Sequence, residues 1–338
     1  MNTAVQTHLI PGGVVCVTDA DSILFLKAYG NRCVYPDTLP MTDSTVFDIA
    51  SLSKPVATAM ATLLLAEEKK ISINEYVCTY IDEFEGDATI AQLLNHTSGL
   101  PSYANVTKLK KAYGVLNDTV LLDYICHCPR TFSEGERAYY SCLNYIMLQY
   151  VIERVSGDSF AHYCLQHVFL PLGMYNTCLL PDTTHLENIA PTELGKDNIL
   201  LWGVVHDPLA RMLNHGNSGN AGVFTNARDL ALLAQLLLQN KSSDWVRMLT
   251  TEPNDKEPLG RAMGWGINND DLTFTGSKLS NCAYCHTGYT GTSMVVDPEN
   301  DIAVIILTNR VHPKDKGNIN ALRGLIADAV AEYLHLSD

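Results

Sequence analysis

The chain is poor in charge, and the charge it has is one-sided. Only 18% of its 338 residues are charged, and 37 Asp and Glu outnumber 23 Lys and Arg for a formal net charge of −14. A field of that sign repels phosphate backbones, and no Lys/Arg run offers a local exception, so nucleic-acid partners are disfavoured. The blocks Ala66-Glu67-Glu68-Lys69-Lys70 and Lys108-Leu109-Lys110-Lys111 are short and read as solvated helix ends. No apolar run approaches the roughly 20 residues of a membrane helix, so no membrane association is expected. No Lys or Arg precedes Lys27, and no apolar stretch with a small-residue cleavage site follows the N-terminus. The expectation is therefore no secretory signal and a cytoplasmic location. Internal repeats and low-complexity tracts are also lacking. What is present is ordinary globular material: 46% hydrophobic residues, enough for a large buried core and against disorder.

Ten cysteines are scattered from Cys16 to Cys285 through segments that otherwise read as core. Without a signal peptide, reduced and buried thiols are expected. Cys282-Ala283-Tyr284-Cys285 forms a C-x-x-C and Cys126-His127-Cys128 lies far upstream. The first pair reads as a strand entry, where residues three apart point to opposite faces and do not chelate together. No βαβ context supports a redox pair. Neither a metal site nor a cofactor is expected.

Strand patterns lie at both ends. Val14-Val15-Cys16-Val17 and Ile23-Leu24-Phe25-Leu26 flank an Asp19-Ala20-Asp21 turn signal and read as a hairpin. Near the C-terminus, 272–274, 293–296 and 302–307 read as strands, the last two joined by Asp297-Pro298-Glu299-Asn300-Asp301. The Ala- and Leu-rich stretch 51–67 reads as a buried helix with Pro55 near its start, where a missing N–H costs least. Helices are also expected over 144–155, 227–238 and about 319–333, the last with an apolar stripe of Leu322, Leu325, Ile326 and Val330. The fold class is α+β: an antiparallel sheet built from both chain ends and flanked by helices, with a mainly helical insertion. The corresponding units are 1–80 plus 251–338 for the sheet and 81–250 for the insertion, and a cleft between them is the natural place for a site. The stretch before Pro11 leaves little room for an N-terminal helix.

Ser51 and Lys54, three apart at a helix start, share one face. A serine hydroxyl is a weak nucleophile at neutral pH, and a desolvated lysine can serve as its base while the helix N-terminus favours developing negative charge. The S-x-x-K spacing alone is common by chance and fits a solvated surface pair. Its context is what carries weight. Phe47-Asp48-Ile49-Ala50-Ser51-Leu52-Ser53-Lys54-Pro55, Leu93-Leu94-Asn95-His96-Thr97-Ser98-Gly99-Leu100-Pro101 and His286-Thr287-Gly288-Tyr289-Thr290-Gly291 occur in order along the chain. Between them come Arg137-Ala138-Tyr139-Tyr140-Ser141, Pro171-Leu172-Gly173-Met174, Gly203-Val204-Val205-His206-Asp207 and Gly219-Asn220-Ala221-Gly222-Val223-Phe224.

Taken together, these segments resemble the class C β-lactamase-related serine hydrolases, a group that includes penicillin-binding proteins, D-amino-acid peptidases and family VIII esterases. The resemblance runs from about Pro11 to the final helix. It implies a β-lactamase/transpeptidase-like fold and an acyl-enzyme on Ser51, with Lys54 and Tyr140 sharing proton movement. It implies an oxyanion hole from the backbone N–H groups of Ser51 and Tyr289, and substrate contacts from His286, Thr287, Gly288 and Cys142. Gly288 would let substrate backbone lie close.

Two departures bear on substrate. Tyr140-Ser141-Cys142 stands where a Tyr-x-Asn motif is usual, so the amide-touching asparagine is replaced by Cys142, and Asn144 faces elsewhere on its helix. His286 replaces a lysine, and a histidine of ordinary pKa near 6.5 is mostly neutral at pH 7. Both changes favour a small ester, amide or peptide substrate over a β-lactam or a D-Ala-D-Ala terminus. The competing readings are a β-lactamase or D-Ala-D-Ala carboxypeptidase, a muropeptide amidase, and a non-catalytic penicillin-binding-like scaffold or sensor. Among the other polar residues, His96 reads as a loop organiser, Asp48 as a cap, and His215 as a loop residue that could border the cleft. His206 with Asp207 offers a Ser-His-Asp alternative that the Ser–Lys pair makes unnecessary.

Overall fold

The chain opens with a five-residue helix α1 (Asn2–Gln6), followed by a hairpin of β1 (Gly12–Thr18) and β2 (Ile23–Cys33) and two short strands, β3 (Leu39–Pro40) and β4 (Phe47–Asp48). This is a computed structural model that describes residues 1–195, 197–252, 260–269 and 272–335. The ten residues before Pro11 therefore do hold a helix, contrary to expectation, because five residues suffice to cap Ile10 and Ile319 with Ala4 and Val5. A tight helical turn (Ala50–Leu52) and a widened helical stretch (Lys54–Ala59) then lead into the regular helix α2 (Met60–Glu67). Pro55 sits at the start of the widened stretch, where the ladder is already open.

The middle of the chain supplies α3 (Ile90–Leu94), α4 (Val106–Tyr113), α5 (Asp118–His127), α6 (Cys142–Ser156) and α7 (Phe160–Cys164). Strand β5 (Cys178–Leu179), α8 (Pro208–Leu213), β6 (Val223–Thr225), α9 (Ala227–Gln239) and α10 (Asp244–Thr250) follow. Side-chain caps start most of these helices, as Asn105, Asn117, Ser141, Asp207 and Asn226 each accept a backbone N–H. The end of the chain returns to strands β7 (Gly266–Ile267), β8 (Tyr284–Thr287), β9 (Ser293–Asp297) and β10 (Ile302–Thr308), then α11 (Asn320–Tyr333).

The main sheet is antiparallel with strand order β3-β2-β1-β10-β9-β8-β7, so its centre is the pairing of a strand from each chain end. This is the α+β architecture expected from the sequence. β1 and β10 are buried along their whole length, which requires cover on both faces. Strand alternation sorts the side chains. Tyr284, Met294, Val296, Ala303, Ile305 and Leu307 enter the large core, while Cys285, Val295 and Ile302 face Ala327 and Ala331 of α11. Helix α9, from the middle of the chain, lies over β1 and β10. A second sheet, β4-β6-β5, pairs Phe47 with Thr225 and so ties the nucleophile segment to the middle of the chain.

Three expectations are corrected. Residues 272–274 form a turn, not a strand, with Leu272 and Phe274 packed beside α11. In α11 the buried positions are Arg323, Gly324, Ala327 and Ala331, whereas Leu325 is 68% exposed. The reason is closeness: a Cβ on Gly324 would lie 2.4 Å from the Thr273 carbonyl oxygen, so only small residues fit beneath the helix. Among the cysteines, all of which are free, Cys282 is exposed and Cys78, Cys142 and Cys178 are half-buried. Burial pushes the Cys16, Cys126 and Cys285 thiols up to about 12, which leaves them inert at neutral pH. Among the described residues no group of His, Cys, Asp and Glu is arranged to hold a metal, and no helix is long and apolar enough to cross a membrane.

Candidate active site

Ser51 sits at the head of the irregular helix, in a turn the surrounding chain over-determines. Ala50, the residue before it, adopts φ +47, a left-handed conformation costly for a residue with a Cβ. Asp48 holds this turn from below: its Oδ1 accepts from Ala50 N (2.8 Å) and its Oδ2 from His206 N (2.7 Å). Asp48 is buried, and desolvation raises its carboxyl pKa. It is thus a brace for the turn, not the helix cap expected, since Ile49 holds the N-cap position, and it also anchors the 203–207 loop. From the sheet side, Thr290 Oγ1 donates to Asp48 O (2.7 Å) and Thr292 Oγ1 to Ile49 O (3.0 Å). Gly288 lies so close that a Cβ there would meet Ile49 O and Thr292 Oγ1, each at 2.2 Å.

Lys54 is fully buried, and its Nζ donates to Ser51 Oγ (3.1 Å) and to Asn220 O (2.8 Å), with Cys142 Sγ at 3.6 Å. Two further contacts fix the same helix face, Ser53 Oγ accepting from Val223 N (3.0 Å) and Thr58 Oγ1 donating to Gly219 O (2.6 Å). The Lys54 ammonium lies over the rings of Tyr140 (5.0 Å) and Tyr145 (5.8 Å). Burial pushes its pKa down, but the negative charges available on Cys142, Tyr140 and Asp207 outweigh that and hold it above the ordinary lysine value. Those on Cys142 and Tyr140 exist only once the thiol or phenol has lost its proton.

Tyr140 lies in the extended segment before α6, its ring tilted against His96 at 4.5 Å and 6.1 Å from His286. His96 organises this side, as expected. Its Nδ1 accepts from Ser141 N (3.1 Å), and burial, followed by the Arg261 and Lys54 charges, drives its pKa well below the ordinary value. Asn144 faces away from the cleft, accepting from Ser98 Oγ (2.6 Å). Cys142 occupies the first position of α6, so a thiol stands beside the lysine.

His286 comes from β8, on the face that enters the cleft. Its Nδ1 lies 2.9 Å from Thr287 O, and a carbonyl only accepts, so Nδ1 carries the hydrogen. Burial, then the charges of Lys54 and Arg261, push its pKa well down, so the ring is neutral and Nε2 holds a bare lone pair. That atom is buried and has no hydrogen-bond partner among the described residues. Ser51, Tyr140, His286, Thr287, Gly288 and Tyr289 line one cavity of about 360 Å³. The residues given catalytic, oxyanion or substrate roles from the sequence thus lie together, with Lys54 and Cys142 beside Ser51.

Three arginines were not foreseen: Arg261, Arg310 and Arg323 line the same cavity, and among the described residues no carboxylate does. Arg261 stacks its guanidinium over Tyr140 at 5.4 Å and pairs with no carboxylate among the described residues. Arg310 is spoken for by Asp315, by Gly317 O (2.7 Å) and by the Tyr289 ring. Arg323 reaches from α11 to Gly288 O (3.1 Å) and Thr292 O (2.9 Å), and burial lowers its pKa to about 10. Arg261 sits in a glycine-punctuated stretch with no periodicity, so nothing in the sequence marks it. His206 is turned to Glu193 (3.2 Å) and stacks on Tyr289 at 5.6 Å, an arrangement that does not make a triad with Ser51. His215 is exposed and does not line the cavity. A larger apolar cavity of about 870 Å³ between α2 and α10 holds none of these groups, so chemistry rather than size identifies the site.

Comparison with known proteins bears on the family and the fold. The family model described as Beta-lactamase matches residues 1–328. A protein of Escherichia coli O157:H7, provisionally named D-alanyl-D-alanine carboxypeptidase, is 30% identical over 345 residues, covering 89% of this chain and 79% of that protein. The solved structure of EstCE1, a hydrolase with promiscuous acyltransferase activity, superposes with a TM-score of 0.79 at 22% identity, covering 97% of this chain and 95% of that one. A class C beta-lactamase superposes with a TM-score of 0.76 at 20% identity, over 97% and 93% of the two chains. At these identities the two structures speak to fold alone.

Proposed function

The chain belongs to the beta-lactamase family, and from that membership we propose that it is a serine hydrolase acting through an acyl-enzyme on Ser51. The observation that carries the reading is the fully buried Lys54 Nζ, 3.1 Å from Ser51 Oγ. In this mechanism Tyr140, beside the Lys54 ammonium, takes the hydroxyl proton as Ser51 Oγ attacks a carbonyl carbon. The backbone N–H groups of Ser51 and Tyr289 steady the oxyanion, and the leaving group departs with the proton. Water then repeats the sequence on the acyl-enzyme. The over-determined turn at Ala50 supports this by holding the nucleophile without reorganisation.

The substrate class is a small ester, amide or peptide. A second reading is favoured by a specific observation: Arg261 is a cation without a carboxylate partner among the described residues, in a cavity to which His286 adds no charge. It supports a peptide substrate whose C-terminal carboxylate meets Arg261, the kind of reaction named for the Escherichia coli relative. The decisive experiment on the main reading is labelling with a fluorophosphonate followed by intact-mass measurement. One adduct is expected on the wild type and none on Ser51→Ala, with hydrolysis of a short-chain nitrophenyl ester lost by about 10⁴-fold or more. A folded wild type that never gains the adduct leaves the scaffold reading in its place.

A further inference from the structure

Buried polar atoms are paired almost everywhere in a folded protein, so an unpaired one on a residue that lines a cavity points to a group that the cavity can receive. Here that atom is His286 Nε2. The residue is 5% exposed, its Nδ1–H is committed to Thr287 O at 2.9 Å, and Nε2 has no partner among the described residues. The ring lies 6.1 Å from that of Tyr140, and both line the cavity that contains Ser51. The replacement of lysine by histidine therefore changes more than charge. A lysine offers three N–H groups and no lone pair, whereas this imidazole offers a lone pair and no free N–H.

We propose that His286 Nε2 accepts a hydrogen bond from the N–H of the departing amine of an amide or peptide substrate, which makes His286 the residue that favours amides over matching esters. The inference rests on the acyl-enzyme reading and adds a substrate preference to it. During acylation the Ser51 Oγ–carbon bond forms and the carbon–nitrogen bond breaks. The proton released by Ser51, carried by Tyr140 beside the Lys54 ammonium, ends on the leaving nitrogen. The hydrogen that nitrogen already bore stays on it, held by His286, so the product departs as a neutral amine. Holding that hydrogen turns the nitrogen lone pair away from His286 and toward the proton donor. An ester oxygen carries no hydrogen, and its lone pairs would face that of Nε2, leaving the buried acceptor unpaired.

The test compares N-acetyl-D-alanyl-D-alanine with N-acetyl-D-alanyl-D-lactate, which differ only in N–H against O at the scissile position. The readout is the amide-to-ester ratio of kcat/KM, with the Ser51 acyl-enzyme followed by mass. In His286→Leu and His286→Lys that ratio is expected to fall by at least about tenfold relative to wild type. In His286→Gln, whose carbonyl oxygen can accept, it is expected to stay within about threefold. An unchanged ratio in His286→Leu overturns the proposal, as does an equal loss on both substrates in all three variants, which is what a merely structural histidine would give. A wild type that acylates Ser51 with a fluorophosphonate but with neither D-substrate overturns the amide assignment alone. Failure to label Ser51 with any reagent removes the acyl-enzyme reading beneath it.

Discussion

The two walls of the cleft treat their polar groups differently. On the nucleophile wall the buried groups around Ser51 are paired: Lys54 Nζ has Ser51 Oγ and Asn220 O, Asp48 has two backbone donors, and His96 Nδ1 has Ser141 N. On the β8 wall, among the described residues, His286 Nε2 and Arg323 Nε lack partners, and Arg261 faces Tyr140 without a carboxylate. A satisfied network resists rearrangement and keeps reacting atoms in place. Unsatisfied groups store a desolvation cost that a bound molecule can relieve. One wall is therefore built for chemistry and the other for recognition, and the contrast can be broken from either side.

The largest effect is expected where the walls touch. Gly288 packs on Ile49 O, and a Cβ at 2.2 Å from that oxygen forces β8 away from the Ser51 turn. Gly288→Ala should lower kcat/KM on any substrate by about 100-fold or more, because a displacement near 1 Å costs that much. Circular dichroism melting alongside the kinetics checks that the fold survives. Activity within a few-fold of wild type would show that the walls need not meet so closely.

A smaller and more selective effect is expected from Arg261→Ala. The side chain is half-buried and pairs with no carboxylate among the described residues, so its removal should leave folding stability within about 0.5 kcal/mol. KM for a peptide ending in a free carboxylate should rise about tenfold, while KM for a neutral nitrophenyl ester should not move. Equal changes on both substrates would place Arg261 with the chemical wall, where its ring contact with Tyr140 would be its role. No change on either would withdraw the carboxylate reading.

The same contrast explains what the sequence could disclose. Ser51, Lys54, Tyr140 and the 286–289 segment are legible because their chemistry is local: a spacing of three, a motif, a strand run. The sheet from both chain ends is legible for a similar reason, since period-two apolar runs state their faces directly. Arg261 and Arg323 are not legible. Their importance comes from which strand and helix lie next to β8, and that is set by packing far away in sequence. Residues 272–274 looked like a strand because apolar and β-branched types cluster there, but Gly276 and close packing under Gly324 make them a turn. The stripe through Leu325 failed because the helix approaches too closely for leucine at its centre. Small residues that permit close contact leave little trace in a hydrophobicity pattern.

The smallest expected effect is on stability against pH, and it divides the two walls most finely. His96 and His286 are both buried and held neutral, with pKa values pushed well below the ordinary 6.5. For each, the unfolded chain binds a proton that the folded chain refuses, so the stability contribution is present above about pH 6.5 and is lost as pH falls below it. Each can add a slope of at most about 1.4 kcal/mol per pH unit. Asp48, whose carboxyl is raised by burial, acts in the opposite sense at lower pH and so flattens the acid end. On the chemical wall, protonating His96 Nδ1 also breaks the bond from Ser141 N. On the recognition wall, protonating His286 Nε2 breaks nothing, because nothing in the described protein is bound there. Urea midpoints measured from pH 8 to pH 5 should therefore fall in the wild type, and the fall should be shallower in His286→Leu by up to one histidine's share. An identical slope in that variant would mean that His286 takes up a proton as readily in the folded protein as in the unfolded chain, and that the recognition wall does not hold its ring neutral below pH 6.5.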